Sequence, residues 1–238
     1  MLALRLSTSL CSAKDQALFN IHSLAFNGTD EYVDVDVAAN DINISAGTFS
    51  IWAKLNTMSS SGNFMLARYD GDNLLNLLYH ASSNEVRFAY RGAASSVVVS
   101  LSDAIENDGK WHHIAITWDI SADEIKLYLN GALKDTASSL TVLSNTPTTM
   151  DIASNTLGGS YFNGNLCQAA LFTRVVPIGE LFLSRIEPIN LTASPNLKAY
   201  YEFNLGAGSS AVDSSGTNNT GTLINTPTWS TDVPYKAN

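Results

Sequence analysis

The side chains of this 238-residue chain that could do chemistry are two adjacent histidines and three small groups of carboxylates. His112 and His113 invite a metal, because imidazole nitrogens are common ligands. Adjacent residues on a strand point to opposite faces, so the pair cannot close on one ion. The expectation is structural, with His112 on the face of Ile114, Ile116 and Trp118 and His113 on that of Trp111, Ala115 and Thr117. The carboxylates suit calcium better, which takes carboxylate, amide and carbonyl oxygens held by turns. One candidate calcium site joins Asp30, near Asn27, to Asp213, Gly216 and Asn218. The alternative for Asp213 and Asn218 is a self-contained turn that binds nothing. A second group, Asp70, Asp72 and Asn73, forms a loop that is a candidate ligand site together with Tyr69 and Tyr161. Tyrosines can stack on sugar rings, and Tyr79, Tyr90 and Trp229 join the aromatic candidates.

Catalysis finds little support. Asp34 and Asp36 alternate, but on a strand whose polar face should meet solvent. No GxSxG, HExxH or phosphate-loop pattern occurs. Acidic residues outnumber basic ones 22 to 13, giving a net charge of −9. Without a Lys/Arg cluster, nucleic acid is not an expected partner. No run reaches the roughly 20 apolar residues of a membrane span, so insertion is not expected either. Two cysteines, Cys11 and Cys167, lack metal-ligand spacing, and the sequence leaves open a bridge between the arm and the body or, as is commoner in a domain this large, two free thiols.

The elements that must position these groups are short strands closed by Gly/Asn/Asp/Ser turns. Tyr32 to Val37 alternates strictly, and Thr48 to Leu55 places Phe49, Ile51, Ala53 and Leu55 opposite Ser50, Trp52 and Lys54. Glu124 to Leu129, Asn130-Gly131 and Ala132 to Thr136 predict a hairpin with a two-residue turn. Only Ile178 to Ile186 has helical spacing, and 188 to 195 looks like a linker. Many short strands and one short helix predict an all-β, two-sheet antiparallel sandwich. The organisation expected is an N-terminal arm over 1–20 and one domain over 21–238 that includes C-terminal closing strands. Residues 1–18 are too broken by Arg5 and Ser/Thr to serve as an export signal.

Several segments then resemble one family. Ser23-Leu24-Ala25-Phe26-Asn27-Gly28-Thr29-Asp30-Glu31-Tyr32-Val33 is similar to the opening strand of laminin G-like domains. Phe49-Ser50-Ile51-Trp52-Ala53-Lys54, Asp108-Gly109-Lys110-Trp111-His112-His113, Leu127-Tyr128-Leu129-Asn130-Gly131 and Phe162-Asn163-Gly164-Asn165-Leu166 resemble later ones. The tail, with Tyr200-Tyr201-Glu202-Phe203 and Asp213-Ser214-Ser215-Gly216, resembles a segment that commonly precedes the opening strand in that family. Here it comes last, a permutation that a sandwich tolerates when its ends lie close.

The resemblance implies a concanavalin A-like jelly roll. Members bind glycans, proteins or lipids, often near calcium, and many are non-catalytic. Laminarinase-type relatives carry an ExDxxE strand that is missing here. Arg68-Tyr69-Asp70-Gly71-Asp72-Asn73 resembles the calcium loop of pentraxins, but 151–158 lacks the carboxylates that would complete it.

A recognition fold without an export signal leads to one functional expectation. This is a non-catalytic structural or attachment protein on a virus (phage) particle surface, of decoration, spike or fibre type. Its partners would be capsid proteins or further copies of itself, as in a trimer, and cell-surface glycans. The first alternative is a secreted, extracellular, calcium-dependent lectin-like module. The second is a divergent glycoside hydrolase.

Overall fold

A computed structural model describes residues 20–92, 95–102, 105–155, 159–184 and 189–235. The expected arm lies outside the described residues except for Asn20, and so does Cys11.

In chain order the elements are β1 (Ser23–Asn27), β2 (Tyr32–Asp34), a single helical turn α1 (Asp36–Ala39), β3 (Ala46–Leu55), β4 (Gly62–Arg68), β5 (Leu74–His80), β6 (Glu85–Gly92), β7 (Ser95–Leu101) and β8 (His112–Asp119). They continue with β9 (Glu124–Leu129), β10 (Ala132–Ala137), β11 (Thr149–Ile152), β12 (Ser154–Asn155), β13 (Ser160–Tyr161) and β14 (Asn163–Phe172). The closing strands are β15 (Leu197–Tyr201), β16 (Ser210–Ala211), β17 (Gly221–Ile224) and β18 (Thr228–Ser230).

The first sheet runs β10-β9-β8-β3-β14-β1-β18, with β15 also on β14. The second runs β16-β17-β2-β11-β4-β5-β6-β7. The pairings within both are antiparallel, and the short pair β12–β13 stands beside β4. β18 lies on β1 and β17 on β2, so the tail sits beside the opening strands as the permutation requires.

Alternation builds the core between the sheets. Phe49 and Ile51 from the first sheet meet Leu75, Leu77 and Phe88 from the second. Trp118 stacks on Phe88 with ring centroids 6.3 Å apart, and its indole N–H donates to the Asn43 carbonyl at 2.9 Å. A buried indole is tolerated because that donor is satisfied. The predicted hairpin forms, with Asn130 at φ 50° and Gly131 at φ 79°, as a two-residue turn with both central residues left-handed requires.

Three sequence expectations are corrected. The strand from Tyr32 stops at Asp34, and Val37 is exposed. Asp36 turns the chain there by accepting the Met150 N–H at 2.8 Å, while the Val35 N–H donates to the Met150 carbonyl. Of the helix expected at 178–186, residues 185 and 186 lie outside the described residues, and the described part holds one 3-10 turn, Ile178–Glu180. Its residues instead anchor separately: Leu181 packs in one apolar cluster, and Phe182 lies 5.8 Å from Trp52 and 5.5 Å from His113. The expected linker contributes Leu191 to the same cluster as Leu181.

Candidate functional site

A sandwich has two outer faces, and this chain treats them differently. Outward residues of the first sheet, including Trp52, Ala115, Cys167, Ala170 and Phe172, are buried. The segment 173–197 covers some with Val176, Leu181, Leu191 and Leu197, and the C-terminal segment covers others with Tyr235. Asp232 fastens that segment, accepting from Lys54 Nζ at 2.6 Å and Trp111 Nε1 at 3.1 Å. Roofed this way, Cys167 is buried and unbridged among the described residues, and burial pushes its pKa well up.

The histidine pair belongs to this structural side. His112 Nε2 lies 2.9 Å from Asp108 Oδ2, and its Nδ1 lies 3.1 Å from Asn130 Nδ2. The Asp108-to-His113 motif therefore ties a loop to the central hairpin. His113 is buried between Trp52 and Phe182, its Nδ1 has no hydrogen-bond partner among the described residues, and desolvation pushes its pKa down to about 3. Tyr79 and Tyr90 are core residues rather than sugar platforms, with hydroxyls donating to Glu106 and to the Ile44 carbonyl.

The outer face of the second sheet is the more open one: Leu66 and Asp151 on it are buried, but Arg68, Leu74 and Asn76 are partly exposed. Register sets its composition: Asp34 stands opposite Asp151, Asp151 opposite Leu66, Leu66 opposite Asn76, and Arg68 opposite Leu74. These alternate with Val33, Ile152, Met65 and Leu77, which point into the core. A cleft of about 220 Å³ runs over this face, lined by Leu66, Arg68, Asp70, Gly71, Leu74, Asn76 and Asn155. At the β2 side, the rings of Tyr32 and Tyr161 lie 6.5 Å apart. Partial burial, then the carboxylates of Asp151 and Asp34, raise the Tyr32 phenol pKa and keep it a neutral donor. Burial also raises the Asp36 carboxyl, partly offset by its Met150 hydrogen bond and by Arg68.

The expected ligand residues divide around this cleft. Asp70 lines it, and its loop is closed on itself: Asp70 Oδ1 accepts the N–H groups of Asp72 and Asn73, both at 2.8 Å. Asp72 pairs with Arg91 at 3.0 Å, and Asn73 Oδ1 accepts the Ser144 N–H. Tyr69 stands beside this loop, about half exposed. Tyr161 lines a separate, smaller polar cleft with Asn27, Thr29 and Asn163.

The expected calcium residues are not brought together. The Asp30 carbonyl accepts from Asn225 just beyond one end of β17, while Asp213 lies beyond the pairing of Ala211 with Gly221 at the other. A strand of that length separates them by roughly 13 Å. Asp213 Oδ1 accepts the N–H groups of Tyr200 and Ser215, and Oδ2 accepts from Ser215 Oγ, Thr217 Oγ1 and the Asn219 N–H. Five donors fill the lone-pair sites of one carboxylate. Gly216 and Asn218 supply the left-handed turns, at φ 87° and 65°, that wrap the loop around it. Among the described residues, no group of three or more His, Cys, Asp or Glu is placed to hold a metal.

What sequence reasoning missed is Tyr32, Arg68, Asn76, Asp151 and Asn155. They come from five elements: strand register aligns Tyr32, Arg68, Asn76 and Asp151 on one face, and the separate β12–β13 pair beside β4 brings Asn155 to it.

Two packed antiparallel sheets with one face roofed and one open define a lectin-like β-sandwich. The chain belongs to the Concanavalin A-like lectin/glucanases superfamily, whose laminin G-type profile matches residues 27–180. No curated protein sequence matches.

Among solved structures, a candidate carbohydrate-binding protein from Bacteroides ovatus superposes with a TM-score of 0.65 at 16% identity. The match covers 92% of this chain and 62% of that one. The CBM40 of the Ruminococcus gnavus IT-sialidase, bound to alpha2,3 sialyllactose, gives 0.56 at 14% identity over 68% of this chain and 97% of that one. Domains LG4-5 of the mouse laminin alpha1 chain give 0.53 at 13% identity, over 65% and 41%. These likenesses establish the fold.

Proposed function

We propose that this protein is a non-catalytic glycan-binding module that takes carbohydrate on the open face of its second sheet. One observation carries the reading. The chain roofs one outer face with its own apolar segments and leaves the other with a tyrosine pair, an arginine, amides and a cleft of about 220 Å³. A pocket of apolar walls with a few convergent polar groups is the usual form of a small-ligand site. Arg68, Asp70, Asn76 and Asn155, which line the cleft, would meet the hydroxyls of one ring, and Tyr32 and Tyr161 would stack on a further ring of the same glycan. The compared CBM40 structure, solved with sialyllactose, supports the same class of ligand.

The test is a glycan array with calcium and again with chelator, followed by calorimetry on any hit. Specific retention weakened in Tyr161→Ala and Arg68→Ala supports the reading, and the two conditions show whether calcium contributes. An array silent in both conditions sinks it. The expected place on a virus particle draws no support from the fold or the compared proteins. Co-sedimentation with particles is the measurement that would restore it.

One observation favours the hydrolase alternative: Asp34 and Asp151 are direct cross-strand neighbours on the open face. Retaining glycosidases need two carboxyls about 5 Å apart. Here Asp151 is only 7% exposed, and Asp34 Oδ1 accepts the Asp36 N–H at 3.0 Å, so both are committed to the sheet. Reducing-sugar release that Asp34→Asn abolishes would overturn the non-catalytic assignment.

A further inference from the structure

A second cleft, of about 210 Å³, is lined by Glu202, Phe203, Asn204, Leu205, Val212, Ser214 and Trp229. All of these lie beyond the residues that match the family profile. None belongs to the open face described above.

The cleft is built, and its polar atoms are oriented. Glu202 Oε2 accepts the Ser214 hydroxyl at 2.7 Å, which fixes the carboxylate in the wall of the cleft. Asn204 Oδ1 accepts the N–H groups of Ile21 at 2.8 Å and His22 at 3.1 Å. Because both partners donate, oxygen must face them, and the amide NH₂ is turned away with two donors to offer. Trp229 packs on the main core, and its indole N–H is held by the Gly208 carbonyl at 3.1 Å. Leu205 and Val212 are 55% and 44% exposed at the rim.

Between the two polar residues, Phe203 sits at φ 55° with its side chain buried. A bulky residue adopts that conformation only where its surroundings impose it, and such strain concentrates at ligand clamps.

A fixed indole, a carboxylate oxygen and an amide NH₂ around one apolar-rimmed cavity match a sugar ring: CH groups against the indole, adjacent hydroxyls donating to Glu202 and accepting from Asn204. The carboxylate also disfavours an acidic sugar by like-charge repulsion. We propose that this cleft is a second binding site, independent of the open face, for a neutral hexopyranose.

The test reads the Trp229 indole resonance by NMR in the full chain, assigned among four tryptophans by Trp229→Phe. D-galactose, D-glucose, D-mannose, N-acetyl-D-glucosamine and N-acetylneuraminate are each titrated. The expected result is a saturable shift with at least one neutral sugar, at a Kd on the order of millimolar for so small a ligand. Glu202→Gln should weaken it about tenfold, as loss of a charge-assisted hydrogen bond does. The other three indole peaks, unmoved, show that the variant is folded. The shift should persist in Tyr161→Ala, which keeps this result separate from the open face. No saturable shift with any neutral sugar, a shift that Glu202→Gln leaves unchanged, or an equal shift with N-acetylneuraminate overturns the proposal.

Discussion

The rings of Tyr32 and Tyr161 stand 6.5 Å apart, inclined by 46°, where β2 and the short β13 meet at the edge of the open face. Neither strand could place this pair alone. Tilted aromatic rings at this spacing attract one another and present a corner that a sugar ring can fill. Tyr161→Ala should weaken glycan binding by about threefold to tenfold, the equivalent of roughly 0.5–1.5 kcal/mol. Calorimetry against a ligand retained on the array checks it, with unchanged thermal unfolding as the control.

Asp213 should matter to stability. Its five donors tie Tyr200, Ser215, Thr217 and Asn219 into one loop that closes the tail against the body. Asp213→Ala strands buried N–H groups and should cost about 2–4 kcal/mol. For a domain of this size that lowers Tm by roughly 5–12 °C. Burial alone would raise the Asp213 carboxyl, but the hydrogen bonds from Ser215, Tyr200 and Asn219 outweigh it and hold the pKa below the usual carboxylate value. The unfolded chain therefore takes up this proton first as pH falls. The contribution is complete above the ordinary carboxylate pKa and disappears as pH drops through the folded value. Calorimetric scans of wild type and Asp213→Asn across that range should converge at the acid end.

His113 acts in a different window. Desolvation lowers its pKa from 6.5 to about 3, so the folded protein keeps it neutral where the unfolded chain would protonate it. Its contribution is whole above pH 6.5 and shrinks as pH falls toward 3. The loss reaches at most about 4–5 kcal/mol, a large part of a typical domain's stability. His113→Phe, flanked by Trp52 and Phe182, should flatten the stability–pH curve in this window. A curve that keeps its slope would count against the desolvation argument.

Gly47 leaves no room for a methyl group. A Cβ there would lie 2.2 Å from Trp118 Cζ2 and 2.7 Å from Cε2. The indole cannot yield easily, because it is hydrogen-bonded to Asn43 and stacked on Phe88. Gly47→Ala should destabilise by about 3 kcal/mol from overpacking, read in denaturant titration by tryptophan fluorescence.

Local chemistry made much of this protein legible in its sequence. Alternation in Phe49 to Leu55 marked the inward and outward faces of β3, because side chains reverse at each residue of a strand. Asn130-Gly131 determined its own turn because few residues tolerate positive φ. Laminin G-like segments established the superfamily and its two-sheet architecture. Where a distant partner decided the outcome, sequence reading failed. Tyr32 to Val37 looks like one strand until Met150 engages Asp36, and the run from Ile178 looks helical until Leu181 and Phe182 find separate apolar clusters. Asp30 and Asp213 shared a chemistry, but β17 holds them apart. The open face is the clearest case. Tyr32, Arg68, Asn76 and Asp151 carry no local signature, and they share a surface only because hydrogen-bond register between strands distant in sequence aligns their alternation, while the β12–β13 pair packed beside β4 adds Asn155.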